Sequence, residues 1–366
     1  TLITFLLIIS INIVLNIFKK NDIILNIDYF INLASIFVGV IVLNILISFF
    51  LVRNSTKREL WIFLGYEFKK EILQKEISST RGNIILVGSE LVENNSKEIK
   101  NIEGIIIDHN PDPEKFKKII SKLKVLEEFS VISTLDWCNL YLEKYPSSMF
   151  DENQILLKSQ YFSNINSFSR VKRLGDLLLS SFLLFITIPI IFLSGLLIYL
   201  QDNGPIFYSQ KRTGKNGKIF KIRKLRTMKI DAENKGVQWS NRDDSRITKI
   251  GKILRLTRID ELPQLLSVIK GEMSLIGPRP ERPEIDEKLI ESIANYDLRY
   301  KVLPGLSGWA QINYPYGASL NDAKEKLSYD LYYVRNMSIT LDFLICIRTI
   351  RLICNMKGAL PKEISK

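Results

Sequence analysis

Three long apolar runs and one stretch of short alternating segments set the organisation of the chain. Thr1 to Phe18 and Tyr29 to Val52 contain no charged residue, and each reaches the roughly 17 residues that a membrane-spanning helix requires. Two transmembrane helices are therefore expected over residues 1–53. Arg53, Lys57 and Arg58 follow the second run, which by the positive-inside tendency puts the rest of the chain in the cytoplasm. Lys19 and Lys20 in the short loop weigh less in the other direction. The chain starts at Thr1, already inside an apolar run, so a missing N-terminal part is expected.

From residue 59 the rhythm shortens. Leu60 to Leu64, Asn83 to Val87, Gly104 to Asp108 and Ser130 to Ser133 read as strands, and Glu67 to Ile77 reads as a helix. That alternation predicts a small Rossmann-like α/β domain over 59–145. Leu64-Gly65-Tyr66-Glu67 and Val87-Gly88-Ser89 lack the glycine spacing that lets a backbone approach a pyrophosphate. A structural or regulatory role is expected for this domain. Residues 146–169, rich in Ser and Asn, read as a linker.

The third run, Leu177 to Leu200, has 24 uncharged residues with Pro189 in its middle. By length alone it would span a bilayer. Arg170, Lys172 and Arg173 precede it and Lys211 and Arg212 follow it, so a straight span would put one basic flank outside. Proline also removes a backbone hydrogen bond and clashes with the preceding turn. The pattern predicts a helix over 174–200 that enters the membrane, breaks at Pro189 and returns; a kinked spanning helix is the alternative.

The net charge of +12 matters through its location. Between Phe207 and Arg258 stand 16 Lys or Arg against 4 Asp or Glu, which leaves 35 of each sign elsewhere. Lys221-Ile222-Arg223-Lys224-Leu225-Arg226 predicts a strand with one buried and one cationic face. Directly after a membrane hairpin, such a face is expected to meet phosphates at the bilayer surface and no nucleic acid. The one histidine, His109, lies in a polar loop, and Cys138, Cys346 and Cys354 show no CxxC spacing. A histidine triad, a zinc site and a disulfide framework drop out, leaving carboxylates, Lys, Arg, Ser or Tyr for any catalysis.

The stretch from Arg255 to Leu266 turns from basic to apolar across two adjacent acids, Asp260 and Glu261. Pro263 suits a first helical turn, so a helix is expected from near Asp260 to just before Gly271. Asp260 then reads in two ways. It is either the cap of that helix or, beside Arg255 and Arg258, a nucleophile facing a phosphate held at a helix N-terminus. Neighbours on a helix point about 100° apart, so the two acids suit two roles, an attacking carboxylate and a ligand for a hard divalent ion such as Mg²⁺.

Residues from about Val171 to Leu352 resemble the bacterial sugar transferase family, the polyprenyl-phosphate glycosyl-1-phosphate or monotopic phosphoglycosyl transferases. Six stretches carry the likeness: 172–176, 210–228, 260–264, Gly271 to Pro280, Pro304 to Gln311 and Asp330 to Val334. The resemblance implies a membrane α+β protein of the long form: transmembrane helices, the small α/β domain, and a mainly helical catalytic domain over 170–358. It implies transfer of a sugar-1-phosphate from a UDP-sugar to undecaprenyl phosphate, with Mg²⁺, through a covalent phosphosugar on Asp260 and release of UMP. Glu261 would support the metal, and Arg279 would lie near the nucleotide. Arg212, Lys224, Arg226 and Arg255 match basic positions expected on phosphates, and Asp330 matches a family acid expected at the substrate. The location implied is the cytoplasmic face of the bacterial inner membrane, at the first membrane step of exopolysaccharide, capsule or O-antigen synthesis. Leu303 and Tyr314 depart from the pattern, where a basic residue and a glycine are common, which bears on sugar preference.

The chemistry is compatible with a site that lacks histidine, because a carboxylate and a lipid phosphate are both ionised at neutral pH and need no general base. Two rivals remain at this stage, a non-catalytic membrane scaffold of a polysaccharide assembly and a multi-span transferase without a covalent step. The identity of the sugar and any homo-oligomer are left open.

Overall fold

The computed structural model describes residues 59–80, 83–88, 102–108, 129–160, 165–232, 244–315 and 319–355, with Glu114, Phe116, Lys117, Ile119, Ser121 and Gly317. The two runs expected to span the membrane within 1–53 lie outside the described residues, as does His109.

The first elements are β1 (Glu59–Leu64), α1 (Glu67–Thr80), β2 (Ile84–Gly88), β3 (Ile102–Ile107) and β4 (Ser130–Ser133). They form one sheet of order β2-β1-β3-β4, in which β3 runs parallel to both β1 and β4. Trp61 to Leu64 and Gly104 to Ile106 are buried without a break, as parallel strands covered on both faces should be. At the carboxyl ends of β1 and β3, where open α/β sheets take ligands, Asp108 is buried against Gly65 and ion-paired to Lys69 at 3.0 Å.

Next come α2 (Thr134–Trp137), running on into a π-helical turn, and α3 (Glu152–Gln160). The expected linker thus carries a helix of its own. It is held because Ile155 is fully buried and its carbonyl accepts from Arg335 at 3.0 Å. No seam opens at residue 145 either. Trp61, Phe63, Leu73 and Ile77 share one core cluster with Leu289, Leu298, Leu327 and Leu331.

Helix α4 (Ile165–Asp202) is 38 residues long, starts earlier than the apolar pattern suggested, and contains Pro189. Its backbone stays helical on both sides of Pro189, in place of the expected break. Among apolar surroundings only the helix itself can satisfy the neighbouring backbone groups, and Thr187 Oγ1 adds a bond to the Leu183 carbonyl at 2.7 Å. Ser169–Asp202 is long and apolar enough to cross a membrane. The motif at its start is a docking device. Lys172 pairs with Asp342 at 2.6 Å, Arg173 donates to the carbonyls of Val268 and Ile269, and Asp176 accepts from the Leu275 amide at 3.1 Å.

The rest of the chain supplies an antiparallel hairpin of β5 (Phe207–Thr213) and β6 (Ile219–Leu225), then α5 (Lys249–Leu256), a 3₁₀ turn at Ile259–Gln264 and α6 (Leu265–Lys270). β7 (Ser274–Ile276) pairs in parallel with β8 (Gly305–Ser307), with α7 (Pro283–Ser292) and a 3₁₀ turn at Tyr296–Lys301 between them. α8 (Trp309–Asn313), α9 (Leu320–Asn336) and α10 (Ile339–Cys354) complete it. Trp309 is buried, stacks on Tyr332 and donates to the Glu143 carbonyl at 2.8 Å. Leu331, Tyr333 and Val334 are buried as well, so the stretches around Trp309 and Tyr333 are core.

Lys144, 2% exposed, joins Glu76 of α1 to Glu325 of α9. Removing the cation leaves the largely buried Glu76 facing Glu325 with no charge between them. Lys144→Met is expected to cost about 3 kcal/mol of folding stability, and adding Glu76→Gln should recover part of it, as read by denaturant unfolding in detergent.

Candidate active site

Asp260 and Glu261 lie in the 3₁₀ turn that follows α5. Before it, Arg258 adopts a left-handed conformation (φ 59°, ψ 14°), which costs a residue with a side chain roughly 1 kcal/mol. That reversal ends α5 and turns Asp260 inward, to 6% exposure. Pro263 sits inside the turn, and Gly271 with φ 85° closes α6, so the expected helix limits hold. Asp260 does not cap. Its Oδ1 is buried and has no hydrogen-bond partner.

The two carboxylates meet opposite electrostatics. Burial, and then the neighbouring Glu261 charge, push the Asp260 carboxyl up to about 6 against the pull of Lys224, Arg255 and Arg258. For Glu261, burial acts in the same upward direction, but Arg279 and Arg258 override it and hold the group well below the usual range. Arg279 reaches Glu261 Oε1 at 2.7 Å and Oε2 at 3.4 Å, and Arg258 stands 3.5 Å from Oε1.

Each cation is delivered by a defined element. β6 packs over the 3₁₀ turn and brings in Lys224, whose ammonium is pushed down to about 8 by burial and by Arg212. Cross-strand register puts Tyr208, Gln210 and Arg212 on the same face as Lys224, while Lys211, Lys221 and Arg223 are exposed on the other. The hairpin is therefore cationic on both faces, and the expected division into a buried and a cationic face is corrected. Arg255 is fixed by a bond from Nε to Thr227 Oγ1 at 2.8 Å. Arg212 donates to Gln210 at 2.7 Å and stands 3.9 Å from Glu281.

Arg279 sits in a loop pinned backbone to backbone. The Gly305 amide donates to the Pro278 carbonyl and the Gly277 amide to the Ser307 carbonyl, both at 2.8 Å. A Cβ on Gly305 would lie 2.0 Å from the Gly277 nitrogen, and one on Gly277 would lie 2.3 Å from the Leu303 carbonyl oxygen. No side chain fits at either position.

Asp260, Glu261, Lys224, Arg255 and Arg279 are thus gathered at one place, with Arg212 farther along the hairpin face. Arg226 is not among them. It is 7% exposed and paired with Asp202, where it fastens the end of α4. Asp330 is 2% exposed and bonded to Arg299 at 2.9 Å. Arg299 and the docking role of Arg173 were invisible to sequence reasoning, because their partners lie far away in the chain.

Among the described residues no group of three or more His, Cys, Asp or Glu is placed to hold a metal. Mg²⁺ commonly takes only one or two carboxylates from a protein and completes its shell with phosphate oxygens and water. The loosely held Glu261 Oε2 fits that demand.

An apolar helix of membrane-crossing length, followed by a carboxylate pair among cations, points to an enzyme working at a membrane surface. Residues 167–356, a little over half of the sequence, match the bacterial sugar transferase family, and the chain belongs to it. It is 41% identical over 189 residues to an Aeromonas hydrophila UDP-N-acetylgalactosamine-undecaprenyl-phosphate N-acetylgalactosaminephosphotransferase, covering 52% of this chain and 45% of that one. It is 35% identical over 207 residues to the Escherichia coli K12 UDP-glucose:undecaprenyl-phosphate glucose-1-phosphate transferase, covering 56% and 45%. With a putative undecaprenyl-phosphate N-acetylgalactosaminyl 1-phosphate transferase of Bacillus subtilis it shares 50% identity over 129 residues, 35% of this chain and 72% of the other. The chain spans about half the length of the first two relatives.

A buried carboxylate whose folded pKa lies above its unfolded value costs stability when ionised. That cost is full above about pH 6 and disappears below the ordinary Asp range. Asp260→Asn removes it and should raise stability at pH 8 by about 1–3 kcal/mol, with a smaller gain at pH 5. Equal gains at both pH values in thermal unfolding would contradict the electrostatic origin.

Proposed function

We propose that the chain transfers a sugar-1-phosphate from a UDP-sugar to undecaprenyl phosphate at the cytoplasmic face of the bacterial inner membrane, by two displacements on Asp260. The observation that carries this reading is the buried, unpartnered Asp260 Oδ1 amid Lys224, Arg255 and Arg258. Asp108, Asp286 and Asp330 also leave one oxygen unbonded but are each bonded through the other; Asp260 is set apart by the three cations gathered around it. The names of the relatives support the substrates.

In the first step Asp260 Oδ1 attacks the β-phosphorus, the bond to the bridging oxygen breaks, and UMP leaves with that oxygen and its electron pair. In the second, an oxygen of undecaprenyl phosphate attacks the same phosphorus, a pyrophosphate linkage forms, and the Asp260 carboxylate is released. No proton has to move. Both steps bring an anion to an anionic centre, so the help required is fixed positive charge. Lys224, Arg255 and Arg258 supply it around Asp260, and Arg279 reaches the same site through Glu261. Mg²⁺ held by Glu261 would neutralise phosphate charge further.

The re-entrant reading of α4 belongs to the same proposal, and in an uninterrupted helix it requires a bend at Pro189, whose ring removes one backbone hydrogen bond. Its start docks on α6 through Arg173, and its last turns dock on β6 and α5 through Ile198 and on Arg226 through Asp202. Both ends thus meet the catalytic core, as a helix returning to its own side of the membrane would. On α10, Ile339, Phe343, Ile347 and Ile350 are exposed at helical spacing, which suits contact with lipid.

With Mg²⁺ and a UDP-sugar, the purified protein is expected to release UMP and to gain the mass of a phosphosugar, and Asp260→Asn should do neither. Adduct formation by that variant would remove Asp260 from the proposed role. Because Asp260 must be ionised to attack, kcat/KM should fall about tenfold per pH unit below about pH 6. A flat profile from pH 7 down to pH 5 would count against it.

A further inference from the structure

Arg299 lies in the 3₁₀ turn Tyr296–Lys301, 7% exposed, between two buried acids. Its Nη2 donates to Asp330 Oδ2 at 2.9 Å, and its Nη1 stands 3.9 Å from Asp286 Oδ1 and donates to the Tyr296 hydroxyl at 2.6 Å. That hydroxyl in turn donates to Asp286 at 3.1 Å. Burying three charges is costly, and stability alone is a weak reason to keep them. The same Nη2 makes one more bond, to the backbone carbonyl of Arg279 at 2.8 Å.

That carbonyl belongs to a loop short of its own ties. Pro278 and Pro280 flank Arg279, and neither has an N–H to donate. The loop is fastened from outside, by the Gly305 amide on the Pro278 carbonyl and by Arg299 on the next carbonyl along. The Arg279 guanidinium then reaches Glu261. Asp330 is carried by α9, which Lys144 also ties through Glu325.

We propose that Arg299, anchored by Asp330 and Asp286, is a positioning residue that acts through Arg279: by holding the Arg279 carbonyl it sets that guanidinium against Glu261. The proposal rests on the transfer reading above for its kinetic consequence. It also gives Asp330 the role of anchor in place of a substrate contact. A guanidinium is required because Nη2 serves the acid and the carbonyl while Nη1 serves the Tyr296 hydroxyl, all in one fixed plane. A lysine keeps the charge between the acids and loses that fork.

The test is a double-mutant cycle in the full-length protein, read by UMP release. Arg299→Lys should lower kcat/KM at least tenfold while the unfolding midpoint stays within a few degrees. Combined with Arg279→Gln it should cost no more than Arg279→Gln alone, because both changes cut one connection. Multiplying effects, or a kcat/KM within threefold of wild type for Arg299→Lys, would overturn the proposal. Should Arg299→Lys fail to fold, Asp330→Asn enters the same cycle with the same expectation. A second readout is independent of turnover. In a crystal structure of Arg299→Lys the Arg279 guanidinium should have left Glu261, and an unchanged Arg279–Glu261 contact refutes the clamp. A wild-type protein that turns over no UDP-sugar refutes the transfer reading instead, and the position of Arg279 still decides the role of Arg299.

Discussion

Two neighbouring carboxylates in one tight turn repel each other, and the low dielectric of a closed site multiplies the repulsion. The protein separates them by the cations it assigns to each. Glu261 receives a two-pronged guanidinium at bonding distance, so its charge is fixed. Asp260 is surrounded by Lys224, Arg255 and Arg258, yet one of its oxygens is left without a bond. One acid is thereby paired, and its neighbour keeps an unbonded oxygen, as the proposed nucleophile requires.

Much of the surrounding architecture serves to keep that asymmetry. The hairpin β5–β6 lays Lys224 over the turn, Thr227 orients Arg255, and the left-handed Arg258 rotates the acids away from the axis of α5. On the other side, Gly277 and Gly305 let two backbone segments touch, and the loop that carries Arg279 has little freedom to drift. A substitution in these stretches would act by displacing a cation from one carboxylate, even where it touches neither.

The elements with a clean local rhythm were legible in the sequence. Strands at 60–64 and 104–107 follow from unbroken apolar runs, and Pro263 and Gly271 mark the limits of the helical segment that carries the acids. The acid pair and the cations beside it in the chain were legible for the same reason. What depends on distant partners was not. Arg226 carries the same chemistry as Lys224 two residues earlier, but only the fold shows that it is spent on Asp202. Asp330 looks like a site acid until Arg299, 31 residues before it, is placed beside it. Residues 146–169 looked like a linker because Ile155 finds its core only in α9 and the elements around it. The alternation in 221–226 announces two faces, and period alone cannot say that the inward one also carries a cation.

The long helix α4 joins these local matters to the membrane. Its first half packs along α6 and the 3₁₀ turn, and Arg173 holds the last carbonyls of α6, the helix that directly follows the acids. Its far end is tied to Arg226, which stands in the chain between Lys224 and the Thr227 that orients Arg255. Both the acids and their cations are therefore referenced to the same apolar helix. For the proposed reaction this is the decisive geometry. The acceptor phosphate is fixed in height by its lipid tail, and it can reach phosphorus on Asp260 only if the nucleophile is held at that height. Because α4 carries that reference through specific ion pairs, the proposed reaction implies that a change at its ends would alter the depth of the site with no change in the site's own residues.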